Sequence, residues 1–214
     1  MPDMATPDFP RTDPATPEFW NQRYAAAFTP WDAGMVPAQL REYVGRGLPA
    51  GRVLVPGCGS GHDVRFLAES GADVRGIDFS AAALAAAAPV LGPWRDRVRL
   101  ADFFADDPFA PYGLVYERAF LCALPPKLWA AWASRVAALV VPDGILAGYF
   151  YFKAGERGPP FPLKDEAQLA GLLGNAFERI EDRPATDSID VFAGHERWQA
   201  WRRVQSPGKS TDCG

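Results

Sequence analysis

The chain has 214 residues, nearly half of them hydrophobic (48%), with a net charge of −4 and a sequence pI near 5.2. That length suits one α/β domain with an ordinary core, and no apolar run approaches the ~20 residues of a membrane-spanning helix. The acidic balance argues against a nucleic-acid partner, since the clearest basic cluster is only the alternating Arg95, Arg97 and Arg99.

Residues 1–16 carry Pro2, Pro7, Pro10 and Pro14 and read as a disordered tail. They lack the basic, apolar character of a secretory signal, so a cytoplasmic protein is expected. Thr16 followed by Pro17 starts a helix as an N-cap and a first-turn proline should. That helix carries Phe19, Trp20, Tyr24 and Phe28 before Pro30 stops it, and a second helix spans Pro37 to Gly45. A buried strand at Val53 to Val55 runs into a glycine loop (Gly57, Gly59, Gly61) and a helix, then a second strand from Ala72 to Ile77 that ends in Asp78. Strand, tight loop, helix and strand with a terminal acid make a nucleoside-binding βαβ unit. The glycines allow a sharp turn and a close ligand approach that a Cβ would block, and Asp78 stands where a carboxylate can accept the ribose hydroxyls. Its other possible task, capping the helix that follows, overlaps with that of Ser80.

The loop spacing is G-x-G-x-G, with His62 where a dinucleotide site prefers a third glycine. This compressed form resembles the first motif of S-adenosylmethionine-dependent methyltransferases, with a nicotinamide-dependent oxidoreductase as the disfavoured alternative.

An alanine-rich helix from Ser80 to about Ala88 follows, and a third strand, Val98 to Ala101, ends at Asp102 and Phe103. The fourth strand is Gly113 to Phe120, an amphipathic helix covers Lys127 to Val140, and the fifth strand is Ile145 to Phe152. After the loop AGERGPPFP comes a helix over Lys164 to Leu173. Phe177 to Asp182 and Ile189 to Val204 read as two strands without a crossover helix between them, hence antiparallel neighbours. The expected architecture is a doubly wound α/β fold: a seven-stranded, mostly parallel sheet with a C-terminal antiparallel hairpin. A single domain would occupy residues 17–204, with a loose tail at 205–214. The widely spaced Cys58, Cys122 and Cys213 and the two histidines, His62 and His195, offer no metal-ligand spacing, so no metal is expected.

Seven segments, FWNQRY (19–24), TPWDAG (29–34), VLVPGCGSGHDV (53–64), GIDFS (76–80), ADFF (101–104), YERAFLCALPP (116–126) and GPPF (158–161), together resemble the thiopurine S-methyltransferase family, including its thiol and halide methyltransferase branches. The resemblance implies a class I S-adenosylmethionine-dependent methyltransferase, with the N-terminal helix closing over the donor. On the matching positions Trp20, Tyr24 and Trp31 would surround the methionine and sulfonium end, with Gly57 and Gly59 beneath the donor. Asp78 would bind the ribose, Asp102 and Phe103 would flank the adenine, and Arg118 would approach the methyl-transfer centre. Plant-type thiol and halide methyltransferases carry tyrosine where Arg118 stands, and bacterial thiopurine-type members carry arginine. TPWD-x-G and PGCGSGHDV look more like the halide and thiol branch. A monomer acting on a small molecule is implied.

Elementary chemistry gives these positions reasons. Aromatic faces attract a cation by ~0.5–2 kcal/mol each, and Trp20 and Tyr24 share one helical face, although the same spacing also describes a core stripe. An arginine in an otherwise apolar strand must find a partner or an anion, and Glu117 points to the opposite side of that strand. Arg118 is therefore expected to face a soft anionic acceptor (thiolate, hydrosulfide, halide or thiopurine), with Phe120 and Phe161 beside it; a structural salt bridge is the alternative. Methylation of oxygen or nitrogen on a metabolite would need a base, and none is evident: His62 reads as a backbone-positioning residue, and Cys58 and Cys122 as buried spacers. The segment GERGPPF is expected to form a lid, stiffened by prolines and hinged at Gly155 and Gly158.

Overall fold

The computed structural model describes residues 7–205 apart from Asp106, Pro108 and Glu156. Its strands are β1 (Val53–Pro56), β2 (Val74–Asp78), β3 (Val98–Leu100), β4 (Tyr112–Arg118), β5 (Val140–Tyr151), β6 (Phe177–Pro184) and β7 (Glu196–Arg203). They form one sheet in the order β3-β2-β1-β4-β5-β7-β6. The first five are parallel, and β7 runs antiparallel between β5 and β6. The helices are α1 (Pro17–Ala25), α2 (Ala38–Gly45), α3 (His62–Glu69), α4 (Ala81–Leu91), α5 (Trp129–Leu139) and α6 (Glu166–Leu173).

Successive strand residues face opposite sides, so β1 sends Leu54 to one layer and Val53 and Val55 to the other. The first layer joins Val115, Leu146 and Trp201 to α5 and α6 through Trp132, Val136, Leu169 and Leu173. The second joins Leu114, Tyr116 and Trp198 to Leu40 of α2, Leu67 of α3 and Leu91 of α4. Both layers leave the carboxyl ends of β1, β2 and β4 open for a ligand, the edge that parallel sheets use for this purpose.

Several boundaries differ from the sequence reading. The strand β4 stops at Arg118, because Ala119 adopts φ 56° and turns the chain, so Phe120 lies beyond the strand. Burial of Leu91 carries α4 past Pro89. The segment Ile189 to His195 is not strand. It folds into turns, with Gly194 at φ 76° and Phe192 buried against Tyr151 and Cys122. Phe28 lies beyond α1, which ends at Ala25. Thr16 precedes α1 without a side-chain cap; its hydroxyl donates instead to the Asp13 carbonyl at 2.8 Å.

The expected disordered tail is attached over its described part. Asp13 ion-pairs with Lys127 at 3.1 Å, Trp20 Nε1 donates to the Pro14 carbonyl at 2.9 Å, and Phe9 lies 5.7 Å from Phe28, centroid to centroid. Residues 1–6 and 206–214 lie outside the described residues. Among the described residues no helix is long and apolar enough to cross a membrane.

Trp198 joins the second layer across three elements, with its ring 5.3 Å from Tyr43 and Tyr149 and 6.4 Å from Tyr116. Trp198→Ala should cost ~3–5 kcal/mol, lowering the melting temperature by at least roughly 6 °C. An unchanged calorimetric melt would remove this tryptophan from the account of the core.

Candidate active site

The sheet edge opens into a cavity of about 410 Å³. Beneath it, the chain leaves β1 through Gly57 (φ 57°) and Gly59 (φ 51°), conformations that L side chains rarely adopt. A Cβ on Gly57 would stand 2.4 Å from Phe120 Cδ2, and one on Gly59 would stand 2.6 Å from Tyr24 Oη. Both glycines line the cavity, and substitution would push atoms into it.

Asp78 ends β2 and is only 8% exposed. Its Oδ2 accepts from the Gly59 N–H at 3.0 Å and its Oδ1 from the Ser80 N–H at 2.9 Å. Burial pushes its carboxyl up, while the N–H groups of Ser80, Gly59 and Phe79 oppose that shift. Ser80 is itself the cap of α4, accepting from Ala83 N–H at 3.1 Å. Asp78 thus organises the loop and still fronts the cavity, where each carboxylate oxygen retains a further lone pair.

Trp20, Tyr24 and Trp31 meet as an aromatic corner on the cavity wall. The Trp20 and Trp31 rings lie edge to face at 5.4 Å, Tyr24 and Trp31 at 6.0 Å, and Trp31 Nε1 donates to Tyr24 Oη at 3.5 Å. At the end of β3, Asp102 and Phe103 also line the cavity. Asp102 Oδ1 accepts from the Phe104 N–H at 2.9 Å, and Phe103 packs on Phe120 with ring centroids 5.0 Å apart.

Arg118 reaches the cavity from the end of β4. Its guanidinium lies over the Tyr149 ring at 4.5 Å, its Nη1 has no hydrogen-bond partner, and among the described residues it makes no ion pair. Burial works against its charge, which Tyr116, Glu196, Asp63 and Tyr149 favour. Glu117 turns away, as strand alternation requires, and accepts from the Leu121 N–H at 2.5 Å. Burial pushes the Glu117 carboxyl up to about 8 and raises that of Glu196 as well.

One expected residue does not reach this cavity. Phe161 packs against the core layer of α5 and α6, and its N–H donates to the Cys122 carbonyl at 2.6 Å, so Pro159 and Pro160 form the wall instead. Of the expected lid, Glu156 lies outside the described residues. The sequence reading also missed contributors. Asn21 Oδ1 accepts from Ser80 Oγ at 2.8 Å and Ala82 N–H at 3.2 Å, docking α1 on the start of α4; its place in FWNQRY, directly after Trp20 and three residues before Tyr24, was the available signal. Val191 and Phe192 line the cavity from the turn once read as strand, and Asp63 lines it from the first turn of α3.

A glycine cradle, a carboxylate with spare lone pairs and an aromatic corner fit a nucleoside that carries a sulfonium. The strand order and this site define a class I S-adenosylmethionine-dependent methyltransferase. The family model for thiopurine S-methyltransferase matches residues 15–204, and the chain belongs to that family. It is 30% identical over 191 residues to thiocyanate methyltransferase 1 of Brassica oleracea, covering 86% of this chain and 84% of that protein. It is 32% identical over 208 residues to thiopurine S-methyltransferase of Pseudomonas aeruginosa, covering 86% and 94%. In fold it is similar to the 1,6-didemethyltoxoflavin-N1-methyltransferase of Burkholderia thailandensis, with a TM-score of 0.72 at 21% identity and coverage of 93% and 94%.

Gly59→Ala should leave the melt within a few degrees yet lower donor affinity at least tenfold, because the added methyl must displace Tyr24 or the loop. Calorimetric titration with S-adenosylhomocysteine checks this, and unaltered affinity would show that the cradle tolerates a Cβ.

Proposed function

We propose that this methyltransferase transfers the methyl group of S-adenosylmethionine to a small, soft acceptor of the thiolate, hydrosulfide, halide or thiopurine kind. The observation that carries the reading is Arg118, a half-buried arginine on the cavity wall whose Nη1 has no hydrogen-bond partner and which makes no ion pair among the described residues. Such a cation is costly unless an anion joins it. The names of the relatives, which act on thiocyanate and thiopurine, support the same acceptor chemistry.

When bound, S-adenosylmethionine supplies a methyl group on a sulfonium, open to in-line displacement. Asp78 holds the ribose hydroxyls, Gly57 and Gly59 let the donor lie against the backbone, and Asp102 with Phe103 flanks the adenine. Trp20, Tyr24 and Trp31 turn aromatic faces towards the sulfonium. Arg118 holds the acceptor beside the methyl, and Phe120 supplies an apolar wall. Correct alignment of this kind is worth up to ~7–11 kcal/mol. Residues 17–204 act as one methyltransferase domain, a reading supported by the single continuous seven-stranded sheet, and the protein works as a monomer.

Arg118→Ala should lower kcat/KM for iodide roughly 10- to 150-fold, the loss of one charge-assisted contact of ~1.5–3 kcal/mol, with donor affinity within threefold of wild type. Unchanged turnover with both iodide and a thiol would take Arg118 out of the mechanism. Asp78→Ala, in contrast, should abolish donor binding in a calorimetric titration, and near-normal affinity would refute the ribose assignment.

A further inference from the structure

Asp63 is an ionisable group on the cavity wall that the mechanism above leaves unused. It sits in the first turn of α3, and its Oδ1 is shut off from solvent without a hydrogen-bond partner. Groups from every surrounding element face it: Tyr116 and Arg118 from β4, Asp32 from the segment after α1, and Cys58 from the glycine loop, with His62 adjacent on α3. The Tyr116 hydroxyl also has no partner in full hydrogen-bond geometry, yet it stands near enough to the Asp63 carboxyl to lower it.

We infer that Asp63 is the proton acceptor for substrates that enter the cavity as neutral thiols or hydrogen sulfide. The inference rests on the acceptor reading above and extends it, since halides and thiocyanate arrive already ionised and need no base. Asp63 takes the S–H proton on Oδ2, the oxygen not shut off from the cavity, while the sulfur lone pair forms the new bond to the methyl carbon. The electron pair of the breaking carbon–sulfur bond stays with the donor sulfur, which leaves as the neutral thioether of S-adenosylhomocysteine. The proton then passes from Asp63 to solvent through the cavity mouth.

The electrostatics suit this task. Burial pushes the Asp63 carboxyl up, Arg118 draws it down, Asp32 raises it and Tyr116 lowers it, leaving it at about 7. A base is most effective when it titrates near the working pH. Cys58 is no competitor, because burial drives its thiol well above the ordinary range and keeps it protonated.

The test compares wild type, Asp63→Asn and His62→Gln with 2-mercaptoethanol and with iodide or thiocyanate across pH 5.5–9.5, together with calorimetric affinity for S-adenosylhomocysteine. With the thiol, wild-type kcat/KM should rise as pH passes about 7, because the ionised carboxylate is the active form. At pH 7 Asp63→Asn should lose ~100-fold with the thiol, regaining activity as the thiol itself ionises. Its turnover of iodide or thiocyanate and its S-adenosylhomocysteine affinity should stay within threefold. Equal losses with both acceptors, or a loss of donor-site affinity, would make Asp63 a structural or donor-binding residue and overturn the inference alone. So would full thiol turnover by Asp63→Asn at pH 7, or a thiol-specific loss in His62→Gln only. A wild type that methylates neither acceptor would overturn the acceptor reading, and this inference with it.

Discussion

Two hydrogen bonds to one carboxylate hold the site in register. Asp78 accepts from Gly59 on the loop after β1 and from Ser80 at the start of α4, so the turn beneath the ligand and the next helix share one anchor. Ser80 passes that constraint on, since its hydroxyl caps α4 and donates to Asn21 of α1. The aromatic corner on and beyond α1 is therefore positioned by the same acid that fronts the nucleoside pocket. Backbone N–H donors offset much of the cost of burying the carboxylate, which lets an acid stay on an otherwise apolar sheet edge.

Elsewhere on the cavity wall the organising group is Arg118, whose Nη1 has no hydrogen-bond partner. Arg118 rests on the Tyr149 ring, and Tyr149 is itself held by the Gln39 N–H at 3.2 Å and by Asp187 at 3.3 Å. The acids around this arginine, Asp63, Glu117 and Glu196, are all shifted towards their neutral forms by burial. Glu117 and Glu196, pushed towards neutrality, leave the guanidinium available to an incoming anion, while a face of tyrosine fixes its direction without neutralising it.

Elements governed by local periodicity and turn chemistry were legible in the sequence. The βαβ unit, the terminal hairpin and Asp78 at the sheet edge follow from strand patterning and glycine spacing, whereas the place of Trp20, Tyr24 and Trp31 on the cavity was legible only through the family resemblance. What stayed hidden depends on distant contacts. The turns around Phe192 look like strand, because Ile189, Val191 and Phe192 are good strand formers; burial against Tyr151 and Cys122 decides otherwise. Phe161 reads as a wall of the pocket, yet its backbone bond to Cys122 turns it towards the core layer. Asp63 carries no signal of its own in the sequence, because acids are common in the first turn of a helix. Only the folded chain shows its Oδ1 cut off from solvent and facing Arg118.

The aromatic corner and Arg118 carry opposite preferences, and the reaction consumes both. An aromatic corner favours a positive centre, and Arg118 favours a negative one. Methyl transfer from a sulfonium to an anion turns that pair into two neutral molecules. Neither preference is satisfied by a strong fixed counter-charge: the corner offers ring faces, and Arg118 is backed by a ring. The products therefore leave behind an unpaired arginine rather than a new ion pair, and no net charge has to be pulled from the pocket for turnover to continue. Asp63 fits the same logic when the acceptor starts neutral. Its negative charge is the one extinguished, and the carboxyl that remains is the form its buried position already favours.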